Sequence, residues 1–161
     1  MAQTTILRQY INVAQYKKAF SLSSPVGWIN RFALAIVYLW FGFFKIIHQS
    51  PAQELVANLH KVTFVHYIPF NTFLIGLGVV ECFIGILFLF PKVTKLAFLI
   101  FALHITTTFL PLFCLPDETW KGSLILTLPG QYIVKNLVLV ASAVTVLFDY
   151  RRKMKRASKK A

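Results

Sequence analysis

Four long apolar runs, at about 28–47, 71–90, 96–115 and 129–149, divide this chain, and the stretches between them carry charge, proline or both. Runs of about twenty residues, each rising about 1.5 Å as helix, match the roughly 30 Å of hydrocarbon in a bilayer. The pattern predicts an all-α membrane protein, a four-transmembrane-helix bundle over residues 28–149. Ahead of it, residues 1–27 set Ile6, Leu7, Tyr10, Ile11, Ala14 and Phe20 at roughly helical spacing among Arg8, Lys17 and Lys18. That is a basic amphipathic segment suited to the membrane surface, broken at Ser23-Ser24-Pro25 and lacking the long apolar core of a cleaved signal peptide. Residues 150–161 form a basic tail.

The connections are patterned too. Residues 48–70 are too polar to cross. Within them Ser50, Pro51 and Gln53 read as the N-cap, first-turn proline and capping-box partner of a short interfacial helix that bears Leu55, Leu59 and Val62 and ends before Pro69. Pro91–Lys95 is a tight basic turn, and 116–128 is a loop whose Trp120 suits an interface. In the third run Thr107 and Thr108 share a face with His104 and Pro111, and are expected to satisfy the carbonyls that the proline releases.

Composition narrows this picture. Apolar residues make up 57% of the chain, charged residues 14%, and mean hydropathy is +0.66, well above a soluble average. A net charge of +12 would suggest nucleic acid in a soluble chain. Here the cations cluster at the ends of the spans and no basic-aromatic module accompanies them, which argues for anionic lipid and against nucleic acid. Of seventeen Lys and Arg, thirteen fall on the side of both termini and the Pro91–Lys95 turn, and four on the other. Four crossings with that bias place both termini in the cytoplasm.

Charge inside the spans is the main functional signal. Glu81 stands in the middle of twenty otherwise uncharged residues, Asn71 to Phe90, where an ionised group costs about 2.5–3.5 kcal/mol and demands a partner or a use. On the first span Arg31, Tyr38, Gly42 and Lys45 fall within about 60° of one another at about 100° per residue. On the fourth, Gln131, Lys135, Ser142, Thr145 and Asp149 fall within about 80°, a stripe expected to face protein or water, while Asn136 projects toward a different neighbour. Lys45 and Lys135 lie about 14 residues in from the terminal side and Glu81 and His104 about 9, a difference in depth of roughly 7 Å that a lysine can span. The expected constellation is Glu81 bridged to Lys45, Lys135 or both, with His104 beside it. It would serve as a staple for the helices, as a site for a quinone-like or other polar headgroup, or as a proton relay.

Other chemistry is weakly represented. Cys82 and Cys114 differ in depth by roughly 15 Å, too far for a disulfide, and no C-x-x-C supports dithiol exchange. His48, His60 and His66 with Glu54 match no metal motif and read as solvated interfacial groups, so no metal is expected. No second histidine is placed for a bis-histidine haem.

The pattern Arg31, Ala35-Ile36-Val37, Trp40, Gly42 and Lys45, the block Gly76-Leu77-Gly78-Val79-Val80-Glu81 with Gly85, and Gly130-Gln131, Lys135-Asn136 and Leu139 resemble the DoxX-like superfamily. Over about residues 28–148 they are most similar to its YkgB branch, associated with reactive-chlorine resistance in bacteria. The resemblance implies a four-helix protein of the bacterial inner membrane, related to the membrane subunit of a thiosulfate:quinone oxidoreductase and to subunits of oxidative-stress complexes. It implies shared positions at Lys45, Glu81 and Lys135, with Arg31, Trp40 and Gly85 around them, and a site for a quinone-like molecule. A partner redox subunit would supply any electrons, since no prosthetic group is visible in the chain. Asn136 stands where the branch carries an acid, its long outer insertion is shortened here, and His104 has no counterpart. The alternatives are a non-catalytic assembly or anchoring subunit, including a homo-oligomer, and a small transporter or proton pathway, for which four helices leave little room.

Overall fold

A computed structural model describes residues 23–63 and 67–158. Most of the N-terminal amphipathic segment, together with His66, lies outside the described residues. Four helical stretches, Pro25–Ile46, Phe70–Phe88, Pro91–Cys114 and Leu128–Arg156, are long and apolar enough to cross a membrane. The chain is an all-α, multi-pass membrane protein; among the described residues the β structure is one hairpin of three- and two-residue strands.

Helix α1 spans Pro25–Ile46. It begins three residues before the expected boundary because the Ser24 hydroxyl accepts from the Gly27 N–H at 3.1 Å and Pro25 supplies a first-turn φ, so the break expected at Ser23–Pro25 is a helix start. The short helix α2, Gln53–Thr63, follows. Ser50 accepts from Ala52 N–H at 3.3 Å through its side chain, while its carbonyl takes the Gln53 N–H at 3.0 Å. Helix α3 spans Phe70–Phe88, and a 3₁₀ turn at Pro91–Val93 leads into α4, Thr94–Thr108.

The third crossing is not continuous. Pro111 lacks an N–H and its ring collides with the preceding turn, so α4 stops at Thr108 and a single turn, α5, resumes at Pro111–Cys114. The threonines act differently from expectation. Thr107 and Thr108 hydroxyls donate to the His104 and Ile105 carbonyls at 2.7 and 2.8 Å, whereas the Thr106 and Thr107 carbonyls take the Phe109 and Leu110 N–H groups in tightened turns at 3.2 Å. The loop at 116–128 contains α6, Pro116–Thr119, and the hairpin β1, Trp120–Gly122, paired with β2, Ile125–Leu126.

Helix α7 runs Leu128–Ser158, nine residues beyond the boundary expected at Asp149. No glycine or proline interrupts it there, and Lys155 and Arg156 in the last turn complement the helix dipole.

The helices close a ring in which α1 packs on α3, α3 on α4, α4 on α7 and α7 on α1. The α1–α3 seam is the tightest, and glycine makes it so. A Cβ on Gly78 would stand 2.7 Å from the Gly42 carbonyl oxygen, and one on Gly85 3.1 Å from the Ala35 carbonyl. Small residues let membrane helices approach in this way, where no hydrophobic effect drives them together. The interior is filled by Leu34, Ile84, Phe88, Ala97, Phe101, Ala143 and Val146, and Ile29, Phe32, Ile36, Trp40 and Phe43 turn outward.

Candidate functional site

Glu81 lies eleven residues into α3, about 16 Å along its axis, and His104 ten residues into α4, about 15 Å. The depths inferred by counting therefore place both near the middle of the bilayer. Lys45 is in the last turn of α1, but a helical side chain leans toward its own N-terminus. Its ammonium consequently points back toward the bilayer centre and reaches Glu81 Oε2, Nζ to Oε2 2.6 Å. The close Gly42–Gly78 approach one turn away holds the two backbones near enough for this bond.

The other carboxylate oxygen faces His104, with Nε2 3.3 Å from Oε1. That distance is in ion-pair range, yet the alignment does not make a hydrogen bond, and Nε2 has no other acceptor. On the far side of the ring Nδ1 is 3.5 Å from the Tyr38 hydroxyl, and the two rings meet edge to face at 5.6 Å. Tyr38, Lys45, Glu81 and His104 are exposed by only 4–7%. They form one buried line, Tyr38–His104–Glu81–Lys45, drawn from α1, α4, α3 and α1 again. At this depth each lone charge would cost about 2.5–3.5 kcal/mol, and pairing Lys45 with Glu81 offsets most of that. Tyr38, legible only as one member of the first-span stripe, is the residue that completes the line.

Lys135 does not join it. Its side chain is exposed and its ammonium sits 4.9 Å from the centre of the Tyr132 ring, one turn toward the Leu128 end of α7. This is snorkelling: the stem lies along apolar surface while the charge moves toward the headgroups, with a cation–π contact on the way. The buried face of α7 at this level passes through Ile133 and Asn136, from which Lys135 is turned by about 160° and 100°. Trp40 is also outside the site, 62% exposed and against Phe44 at 5.4 Å.

The polar stripe on α7, expected to face protein or water, does not line the interior of the bundle. Gln131, Lys135 and Thr145 are exposed. They tolerate that position because Gln131 donates to the Leu126 carbonyl at 3.4 Å and Thr145 to the Ala141 carbonyl at 2.8 Å, leaving few polar groups unsatisfied. Asn136 does reach a different helix, donating to Thr108 Oγ1 at 3.3 Å.

Arg31 and Asp149 build a second polar group at the end of the bundle where α1 begins. Arg31 is 0% exposed, rather than resting in the headgroups. Its Nη1 donates to the Phe88 carbonyl at 2.9 Å, an acceptor left over at the end of α3, and its Nη2 to Thr94 Oγ1 at 2.6 Å. Nε donates to Ser23 Oγ at 3.2 Å, and Ser23 in turn donates to Asp149 Oδ2 at 3.0 Å. The same oxygen accepts the Ser24 N–H at 2.7 Å. All four crossings are joined here, a structural role for both residues. Ser23 and Thr94 carried no distinguishing signal in the sequence.

His60 is buried rather than solvated: its Nε2 is 2.7 Å from the Ile68 carbonyl oxygen and its ring packs on Phe70 and Phe73. An open hollow of about 400 Å³ beside it is lined by Ala57, His60, Lys61, Ile68, Pro69 and Phe70 and shares no residue with the buried line. Cys82 is half-buried, its thiol directed at the Leu39 carbonyl at 3.9 Å, and Cys114 is exposed. Among the described residues no three His, Cys, Asp or Glu side chains converge as a metal site would require.

Comparison with protein-family models, with curated proteins and with solved structures finds no match to this chain.

Proposed function

We propose that this protein is a component of redox or oxidative-stress physiology whose buried line binds the polar headgroup of a quinone-like molecule and exchanges protons with it. The carrying observation is that Glu81 is held by bases from two other helices while His104 Nε2, nine-tenths buried, lacks a well-aligned hydrogen bond. A buried ring nitrogen in that condition gains from an added polar partner, because an unsatisfied buried group costs about 1–3 kcal/mol. A quinone carbonyl or hydroxyl fits that need; it would be held by His104 and Lys45, with Tyr38 orienting the imidazole. The quinone would supply two-electron redox chemistry, and the chain's own residues would hold and move protons. The DoxX-like resemblance supports the same reading, with the bacterial inner membrane as the location, and the bias of Lys and Arg toward the side of the termini supports a cytoplasmic orientation for both.

The test is binding of a quinone analogue to the purified protein in lipid nanodiscs. Glu81→Gln is expected to lose binding while circular dichroism stays helical. Wild-type affinity in that folded variant overturns the reading.

A second reading, a non-catalytic anchoring subunit, draws on α7. Only 17% of its apolar window is covered, against 28–33% for the other crossings, so it offers the most open flank to a partner subunit or a second copy. Stable copurification with a partner, together with unchanged performance of Glu81→Gln, would favour it.

A further inference from the structure

Two described residues have left-handed backbone, His48 and Leu124. His48 closes α1 in an ordinary way, its N–H and that of Gln49 returning to the Lys45 and Phe44 carbonyls at 3.2 and 2.9 Å. Leu124 has no such reason. It is the third residue of the tight turn at 122–125 that joins β1 to β2, with φ 64°, a place usually taken by glycine or asparagine because a Cβ crowds the backbone there. Strain of this kind persists where something outweighs it. No packing within the described residues does so, since Leu124 is 90% exposed.

The hairpin sits where the third and fourth crossings end, and its base is fixed to both. The Trp120 indole N–H donates to the Leu112 carbonyl and the Thr127 N–H to the Thr119 carbonyl, each at 3.0 Å. Gly130, in the first turn of α7, lies so near the Thr119 carbonyl that a Cβ would collide with it. Leu124 is therefore four residues, at most about 14 Å of chain, from Leu128, where the fourth crossing begins. Its exposed neighbours are apolar: Ile125 on β2, Leu128 on α7 and Phe113 at the end of the third crossing. Over 119–128 the chain has no carboxylate and one cation, Lys121. An apolar cluster continuous with the outward flank of a crossing, with a tryptophan and a lysine beside it, has the composition of a segment seated at the edge of the hydrocarbon.

We propose that the β1–β2 turn is a membrane anchor: Leu124 and Ile125 insert among the lipid acyl chains at the boundary of the loop-side leaflet, while Lys121 stays with the headgroups. The insertion offsets the strain of the left-handed leucine. It also sets the depth at which α7 starts, and α7 is the crossing least covered by the rest of the bundle. The anchor is independent of the buried line and of any quinone bound there.

The test uses the full chain with Cys82→Ala and Cys114→Ala in phosphatidylcholine vesicles, carrying a nitroxide on Leu124→Cys. Val138→Cys, exposed partway along α7, and Asp117→Cys, exposed in the loop, are the references. Electron paramagnetic resonance compares collisions with oxygen, which concentrates in hydrocarbon, and with a nickel chelate, which stays in water. The Leu124→Cys label is expected to collide more with oxygen than with the chelate, as Val138→Cys does and Asp117→Cys does not. A label reached by the chelate puts the tip in water, and one shielded from both puts it against a partner subunit or a second copy; either result overturns the anchor. Ile125→Cys takes over the measurement if labelled Leu124→Cys does not fold. Leu124→Asn keeps a residue suited to the turn and removes the apolar tip, so a nitroxide on Leu128→Cys should shift toward the chelate in that background. An unshifted label would overturn the depth-setting role.

Discussion

Arg31 and Asp149 never touch, yet they are coupled through one hydroxyl: Ser23 accepts from the guanidinium at 3.2 Å and donates to the carboxylate at 3.0 Å. The relay ties the start of α1 to the late part of α7, while the remaining Arg31 donors hold the end of α3 and the start of α4. Gly27 is part of the device, since any Cβ there would collide with the Asp149 carboxylate.

Arg31→Ala should therefore be among the most damaging single substitutions, costing about 2–5 kcal/mol, because it leaves the buried Phe88 carbonyl without its donor, breaks the relay through Ser23 and empties the space of a fully buried side chain. Asp149→Asn should cost less, about 1 kcal/mol, because its amide oxygen still accepts the Ser24 N–H. Denaturant unfolding in detergent would read both. Equal losses would mean that the two residues act as a simple ion pair, contrary to the relay.

Two glycines on α3 offer an internal comparison. Gly78→Ala forces a methyl to within 2.7 Å of the Gly42 carbonyl oxygen, while a Cβ on Gly76 meets nothing within 4 Å. The first should lose about 1–3 kcal/mol through overpacking at the α1–α3 seam. The second should gain up to about 1 kcal/mol from helix propensity. Melting temperatures of the two variants side by side would reveal whether the seam is as close as described.

Removing the two members of the central pair should have unequal effects. Glu81→Gln leaves an ammonium in the last turn of α1, from which it can swing outward to the headgroups, so the loss should be about 1–3 kcal/mol. Lys45→Met leaves a carboxylate at mid-depth with no such escape and should cost about 3–5 kcal/mol. Joining Lys45→Met with Glu81→Met should restore most of the stability while abolishing quinone-analogue binding. A double variant as unstable as the sum of the singles would show that the pair is not coupled.

Depth was legible in the sequence and azimuth only partly. A fixed rise per residue turns chain position into height, so counting alone brought Glu81 level with His104 and within reach of Lys45. The facing direction of a helix depends on where its polar groups find partners. On α1 and α3 those partners lie inside, because Lys45 and Glu81 require each other. On α7, Gln131 and Thr145 bond nearby backbone carbonyls, so a stripe expected to face protein or water is stable on the outer surface of the bundle. The hairpin at Trp120–Leu126 leaves no mark in the hydrophobic pattern because strands of three and two residues are too short to show alternation.

Lys135 tests this lesson directly. The resemblance groups it with Lys45 and Glu81, whereas the structure gives it an exposed stem and a charge over Tyr132. Lys135→Leu removes one outward cation and one cation–π contact worth about 0.5–1 kcal/mol at an exposed site, and it adds apolar surface where lipid tails lie. The two effects oppose each other, so stability should stay within about 0.5 kcal/mol of wild type. Quinone-analogue affinity should be unchanged, in contrast to Glu81→Gln. Should Lys135→Leu instead abolish binding as Glu81→Gln does, with the bundle still folded, the ammonium would belong to the site and α7 would have to turn its outward stripe toward Glu81.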